Sequence, residues 1–122
     1  MKIFLLLLLF PTLVYSTIYE CKVSRKVGPE NIVSESELKK WKFSIKIYDT
    51  TKPELERCSY STGVNKVTCD KHLVDKVETD NYVNIKKFYN FRSQFDVQLF
   101  PDMTFIENNG RGGISYGKCE QL

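Results

Sequence analysis

The chain has 122 residues and a formal net charge of +3; 42% of its residues are hydrophobic and 13% are aromatic. These apolar residues suffice for a buried core, which excludes an intrinsically disordered protein. The near balance of acidic and basic residues excludes a protein that coats nucleic acid by electrostatic attraction alone. The length corresponds to a single domain.

The N-terminal segment is typical of a secretory signal peptide. Lys2 provides a basic start, residues 3–14 form an apolar run, and Ser16 is the small residue before a cleavage site. The run is shorter than the ~20 residues that a membrane-spanning helix needs. We therefore expect residues 1–16 to be removed and residues 17–122 to be secreted as one domain, with no membrane segment left.

The next elements are a strand and then a helix. Ile18–Arg25 is predicted as a strand that ends in a turn at Gly28-Pro29. Ser34 and Glu37 have the spacing of a capping box. The apolar residues behind them recur at intervals of three and four, as on one face of a helix: Leu38, Trp41, Ile45 and Tyr48. The same segment also alternates like a strand, but the cap and three nearby lysines favour a helix, which Lys52-Pro53 would end.

Four cysteines follow the signal segment, and an even number in a secreted chain predicts two disulfide bonds with three open pairings. Cys58 and Cys69 flank a predicted hairpin turn, where cysteines on the two arms come within bonding distance. This geometry favours Cys58–Cys69 and leaves Cys21 with Cys119. No Cys-x-x-Cys spacing occurs and His72 is the only histidine, so neither a metal nor a cofactor is expected.

The second half of the domain is predicted as strands. Tyr82–Arg92 alternates, with an apolar face that includes Ile85 and Tyr89 opposite a polar face. Three further strands are predicted: Phe95–Leu99, Met103–Glu107 and Ile114–Cys119. One helix followed by antiparallel strands predicts an α+β fold, with the helix packed on one face of the sheet.

A short motif, Tyr19-Glu20-Cys21, stands just behind the signal segment. It resembles the Tyr/Phe/Trp-x-Cys motif of small secreted effector candidates of powdery mildew fungi, the ribonuclease-like proteins associated with haustoria. The chain's outline is similar too, with one helix, an antiparallel sheet and a final cysteine that would bond to the first. The resemblance implies a fungal guanyl-ribonuclease-like fold and a virulence role inside plant host cells. It also implies recognition of some members, as avirulence proteins, by intracellular immune receptors.

Catalysis by the ribonucleases of that fold needs a positioned acid and base, most readily histidines. His72 lies outside the predicted strands, and Glu78 and Glu107 lie in polar sequence where burial is not expected. We therefore assign no catalytic residue and expect a monomeric pseudoenzyme that binds a host protein or RNA. The alternative is an active secreted ribonuclease that uses His72 with one of these carboxylates.

The polar face of the Tyr82–Arg92 strand is a candidate surface for weak RNA binding. Basic side chains can neutralise phosphate while an aromatic ring stacks on a base. The residues proposed for this role are Lys86, Lys87, Phe88 and Arg92. The alternative is an ordinary solvated strand face.

Overall fold

The computed structural model describes residues 16–122, so residues 1–15 of the expected signal peptide lie outside the described part. The described residues are mostly strand, at 59%, with one seven-residue helix. The elements in chain order are β1 (Thr17–Val27), α1 (Glu35–Trp41), β2 (Ser44–Asp49), β3 (Glu54–Ser61), β4 (Lys66–Leu73), β5 (Lys76–Asp80), β6 (Ile85–Asn90), β7 (Phe95–Leu99), β8 (Thr104–Asn108) and β9 (Ile114–Gln121). Neither α1 nor any other described segment forms a helix long and apolar enough to cross a membrane.

The nine strands form one antiparallel sheet in the order β4-β3-β2-β1-β9-β8-β7-β6-β5. Two meanders, β1–β4 and β5–β9, are joined by the pairing of β1 with β9. The strands at the two edges, β4 and β5, are separated in the chain only by Val74 and Asp75. Such a link spans at most about 11 Å. The sheet must therefore curl until its edges approach each other, and it forms a half-barrel.

Hydrogen bonds beside this link hold the curl. The side-chain amide of Asn90 donates to the carbonyl of Leu73 at 2.8 Å, which ties β6 to β4. The backbone N–H of Asp75 donates to the carbonyl of Tyr89 at 2.8 Å, and the carboxylate of Asp75 accepts from the N–H of Phe91 at 2.7 Å. These bonds thus anchor β4 and the link to β6, the strand that lies beside edge strand β5.

The core lies on the concave side of the sheet, where alternate residues of each strand point inward. Its members are Cys21, Ile45, Ile47, Leu55, Phe88, Phe95, Val97, Leu99, Phe105 and Cys119. The sheet is tightest where β9 crosses Phe105. A Cβ atom on Gly117 would lie 1.9 Å from the carbonyl oxygen of Lys22 and 2.6 Å from the Phe105 ring, so only glycine fits there.

Both favoured disulfides are confirmed. Cys21 and Cys119 are directly opposite on β1 and β9 and are bonded, with a sequence separation of 98. Cys58 and Cys69 are directly opposite on the β3–β4 hairpin and are also bonded. One disulfide therefore lies in the middle of the sheet, and the other lies near its edge.

The predicted α+β fold is wrong, because the helix is short and lies outside the core. It begins as expected, with the Ser34 hydroxyl accepting from the N–H of Glu37 at 3.3 Å. It ends at Trp41, since Lys42 adopts a left-handed conformation with φ of 50°. The alternative strand pattern prevails over Ser44–Asp49, because alternation lets the isoleucines of β2 enter the core. No residue of α1 is buried, and the ribonuclease-like fold expectation fails with the helix-on-sheet arrangement.

Candidate functional site: a polar cleft in the half-barrel

A cleft of about 210 Å³ opens on the concave side, between the β1–β4 meander and strands β8 and β9. Small-molecule pockets typically occupy ~300–1,000 Å³, so this cleft has room for a phosphate or part of a sugar. Polar residues from six strands line it: Lys26, Ser44, Arg57, Ser59, Thr68, Asp70, His72, Glu107 and Ser115. The pairing register of β3 with β4 explains why four of these residues lie together. Arg57 is opposite Asp70 and Ser59 is opposite Thr68 on one face of the β3–β4 hairpin.

An ion pair crosses the concave side of the sheet. Arg57 on β3 donates from Nη2 to Oε1 of Glu107 on β8 at 3.0 Å, although these strands are not neighbours in the sheet. Glu107 is 4% exposed, so its charge depends on this partner. The guanidinium also lies 4.6 Å from the centre of the Phe95 ring. Because a guanidinium has five N–H donors, Arg57 can bind Glu107 and still donate to a ligand.

Lys26 contributes a second cation to the same region. It is half-buried, and its Nζ lies 4.1 Å from the centre of the Phe43 ring. Burial lowers the pKa of Lys26, Glu107 raises it, and Arg57 lowers it again. Lys26 and Arg57 thus line the cleft together with one buried carboxylate, that of Glu107, so the inner part of the cleft has a net positive charge. Asp70 is exposed, so solvent screens its charge.

His72 and Glu107 line the same cleft, which corrects two expectations. His72 belongs to β4, and its ring meets the Phe95 ring edge-on at 5.1 Å. Glu107 is buried because it follows Phe105 by two residues on β8 and so shares its inward face. Glu78, by contrast, is exposed on edge strand β5, where its carboxylate is 3.3 Å from the ammonium of Lys76.

The four residues proposed for RNA binding do not form one surface. Phe88 is fully buried in the core, so it cannot stack on a base. Lys86 shares its inward face and pairs with the buried carboxylate of Asp49, whereas Lys87 points to the opposite face. Arg92 is exposed in the turn after β6. The predicted faces are reversed: Lys86, Phe88 and Asn90 share the inward face of β6, and Ile85, Lys87 and Tyr89 share the outward face.

Sequence reasoning missed the two cations of the cleft. Arg57 and Glu107 are 50 residues apart, and only the order of the strands brings them together. The available signal was the hairpin at 54–73, whose alternation puts Arg57, Ser59, Thr68 and Asp70 on one face. The motif residues, by contrast, have structural positions: Tyr19 packs against the core, and Cys21 is within it.

No protein-family model, curated protein or solved structure matches this chain. The resemblance to powdery mildew effectors stays a hypothesis that rests on the short motif and the terminal cysteines.

Proposed function

We propose that this chain is a secreted, disulfide-stabilised binding protein that takes a phosphate group of single-stranded RNA into the cleft. The observation that carries this proposal is that Lys26 and Arg57 line the same cleft as the buried carboxylate of Glu107, which forms an ion pair with Arg57 at 3.0 Å. The guanidinium of arginine and the ammonium of lysine both bind phosphate. Glu107 holds the arginine in place but neutralises only one of the two cations.

The rest of the cleft fits a nucleotide backbone. The hydroxyls of Ser59, Thr68 and Ser115 line it beside the cations and can bond to phosphate or ribose oxygens. Its volume admits one phosphate with part of a sugar, so the remainder of the ligand stays outside. A single strand has the flexibility to lead one phosphate into such a recess, which favours single-stranded over duplex RNA.

Binding through so few charges is expected to be weak and salt-dependent. For single strands the logarithm of the affinity falls with the logarithm of salt concentration, with a slope of about −0.7 per neutralised phosphate charge. One phosphate bound in the cleft therefore predicts a slope of about −0.7. A protein partner that contacts the apolar exposed residues would give a much flatter dependence.

The test is fluorescence anisotropy with a labelled single-stranded oligonucleotide whose ribose 2′-oxygens are methylated, so that binding is measured without cleavage. Lys26→Met is expected to weaken binding and reduce the salt slope by about 0.7. Lys40→Met is the matched control, because the Lys40 ammonium also lies over a ring, 4.9 Å from the centre of Trp41, but on α1 outside the cleft. Equal losses in the two variants would contradict the cleft as the binding site.

RNA cleavage is the second candidate function, and the convergence of His72, Arg57 and Glu107 in one cleft favours it. A histidine acid, a carboxylate base and an arginine that binds phosphate are the groups such a reaction uses. We expect no cleavage, because the cleft offers one histidine and its buried carboxylate is engaged by Arg57. Incubation with unmodified RNA tests this expectation. Cleavage that disappears in His72→Ala would establish the enzyme.

The biological setting is a separate proposal that rests on the Tyr19-Glu20-Cys21 motif. In this proposal the protein is a secreted effector that enters plant cells, promotes infection and is bound there by a host protein or an intracellular immune receptor. Expression of residues 17–122 in leaf cells, with and without candidate receptors, tests it. A protein that is found only outside the host cell, and has no effect when expressed inside, would contradict this setting.

A further inference from the structure

A second group of polar side chains lies on the β3–β4 hairpin, on the face opposite to Arg57. Glu56 and Cys58 are two residues apart on β3, and Cys69 is directly opposite Cys58 on β4. This spacing puts three side chains together on one face of a sheet. A carboxylate oxygen of Glu56 and the two sulfurs all lie within 4.8 Å of one another.

The two disulfides differ in their accessibility to a reductant. Cys69 is exposed and its partner Cys58 is 7% exposed, whereas Cys21 and Cys119 are 0% and 6% exposed in the core. A dithiol reductant can therefore attack the Cys69 sulfur first. In this step the Cys58–Cys69 bond breaks, both cysteines become thiols, and the dithiol is oxidised to its own disulfide.

We propose that the reduced hairpin binds Zn²⁺ through the thiolates of Cys58 and Cys69 and the carboxylate of Glu56. Thiolate and carboxylate are zinc ligands, and a water molecule would complete a tetrahedral site. The two thiols lose their protons as the metal binds, so two protons are released per ion.

The surroundings of Glu56 suit this role. The opposite residue is Lys71, but its ammonium lies over the Tyr48 ring, 5.0 Å from the ring centre, and makes no salt bridge with Glu56 in residues 16–122. The nearer oxygen of Glu56 is 3.9 Å from the Cys58 sulfur. The other oxygen, Oε2, accepts from the Tyr48 hydroxyl at 3.5 Å, so the carboxylate is held beside the disulfide.

The metal would replace the disulfide as the cross-link of the hairpin. Arg57 and Asp70, which line the cleft on the other face, are adjacent in sequence to Cys58 and Cys69. A metal on the hairpin would therefore hold these residues in register after reduction. The inference does not depend on RNA binding, since it concerns only the chemistry of the hairpin.

The test begins with brief treatment of the secreted protein with dithiothreitol, followed by desalting without oxygen. Alkylation and mass mapping should find free thiols at Cys58 and Cys69 and an intact Cys21–Cys119 bond. Titration with Co²⁺ should then give one equivalent of a tetrahedral complex with thiolate charge-transfer absorption, and Zn²⁺ should displace it. Opening of the buried disulfide first would overturn the proposal, as would the absence of that absorption.

Three variants locate the ligands. Cys58→Ser/Cys69→Ser should lose the Co²⁺ absorption, and Glu56→Gln should weaken binding at least about tenfold, because loss of even an outer-shell partner of a metal costs about 10–100-fold. Glu54→Gln, on the same strand but outside the cluster, is the matched control and should bind like the unaltered protein. Equal affinity in Glu56→Gln and Glu54→Gln would rule out the carboxylate as a ligand. Absorption that persists in the double serine variant would overturn the proposed site.

Discussion

At the level of single residues, Glu107 organises the polar cleft. It is a carboxylate with 4% exposure whose charge is balanced by Arg57 from a distant strand. Arg57→Met should lower the free energy of unfolding by about 3 kcal/mol, because it removes the 3.0 Å ion pair from a buried carboxylate. Glu107→Gln should lower it by only about 1 kcal/mol, since the amide still accepts a hydrogen bond.

Chemical denaturation of these variants and of Arg57→Met/Glu107→Leu checks the assignment. The double variant should recover most of the loss, because it removes both charges from the concave side. A loss in the double variant that exceeds the loss in Arg57→Met alone would contradict a stabilising interaction between the two side chains.

The pKa of Lys26 gives the cleft a characteristic pH dependence. Burial lowers this pKa below its usual value of 10.5, so the ammonium loses its proton at a lower pH than an exposed lysine does. Binding of the methylated oligonucleotide should therefore weaken as pH rises through this lowered pKa. The free energy of unfolding should rise over the same pH interval. Burial in the folded state disfavours the charged form of Lys26, and this cost disappears once the ammonium has lost its proton.

Lys26→Arg separates this effect from other titrations, since a guanidinium stays protonated throughout. Anisotropy titrations of this variant between pH 7 and pH 10 should show a nearly constant affinity. A decline as steep as that of the unaltered protein would exclude Lys26 as its cause.

At the level of elements, the segment at 41–49 shows why helix and strand were confused. Its apolar residues satisfy both periods, and Ser34 does cap the helix N-terminus, so the local sequence favours a long helix. Burial decided otherwise, because β2 puts Ile45 and Ile47 into the core, whereas α1 buries nothing. The start of the helix was predictable from the cap; its end depended on the neighbouring strands.

A core strand and a core helix in this segment predict different effects of substitutions on stability. Ile45→Ala should lower the free energy of unfolding by about 3 kcal/mol, because it leaves a cavity in the core. Leu38→Ala on α1 should lower it by less than about 1 kcal/mol, since this side chain is only half-buried. Denaturant titration of both variants measures the contrast, and a larger loss for Leu38→Ala would restore the helix-on-sheet arrangement.

At the level of the whole molecule, the Cys21–Cys119 bond joins the two meanders. It closes a loop of 98 residues, for which chain entropy gives about 4–5 kcal/mol. Cys21→Ser/Cys119→Ser should therefore lose several kcal/mol of unfolding free energy. Thermal unfolding of this variant, compared with Cys58→Ser/Cys69→Ser, checks the value, and a larger loss for the hairpin pair would contradict it.

The curl of the sheet separates the features that the sequence could predict from those that it could not. Most strands, the hairpin and both disulfides follow from alternation, turns and cysteine positions, which are local signals or simple pairings. The cleft does not, because Lys26, Arg57 and Glu107 meet only when β1 pairs with β9 and the sheet bends. No spacing along the chain indicates that bend except the two-residue link between β4 and β5.

The central claim is that a ligand phosphate enters the cleft. It is tested most directly by amide and side-chain NMR of the labelled domain during titration with the methylated oligonucleotide. The largest shifts should map to Lys26, Arg57, Ser59, Thr68 and Ser115, with smaller shifts in Lys26→Met. Shifts confined to Lys87 and Arg92, outside the cleft, would contradict the account.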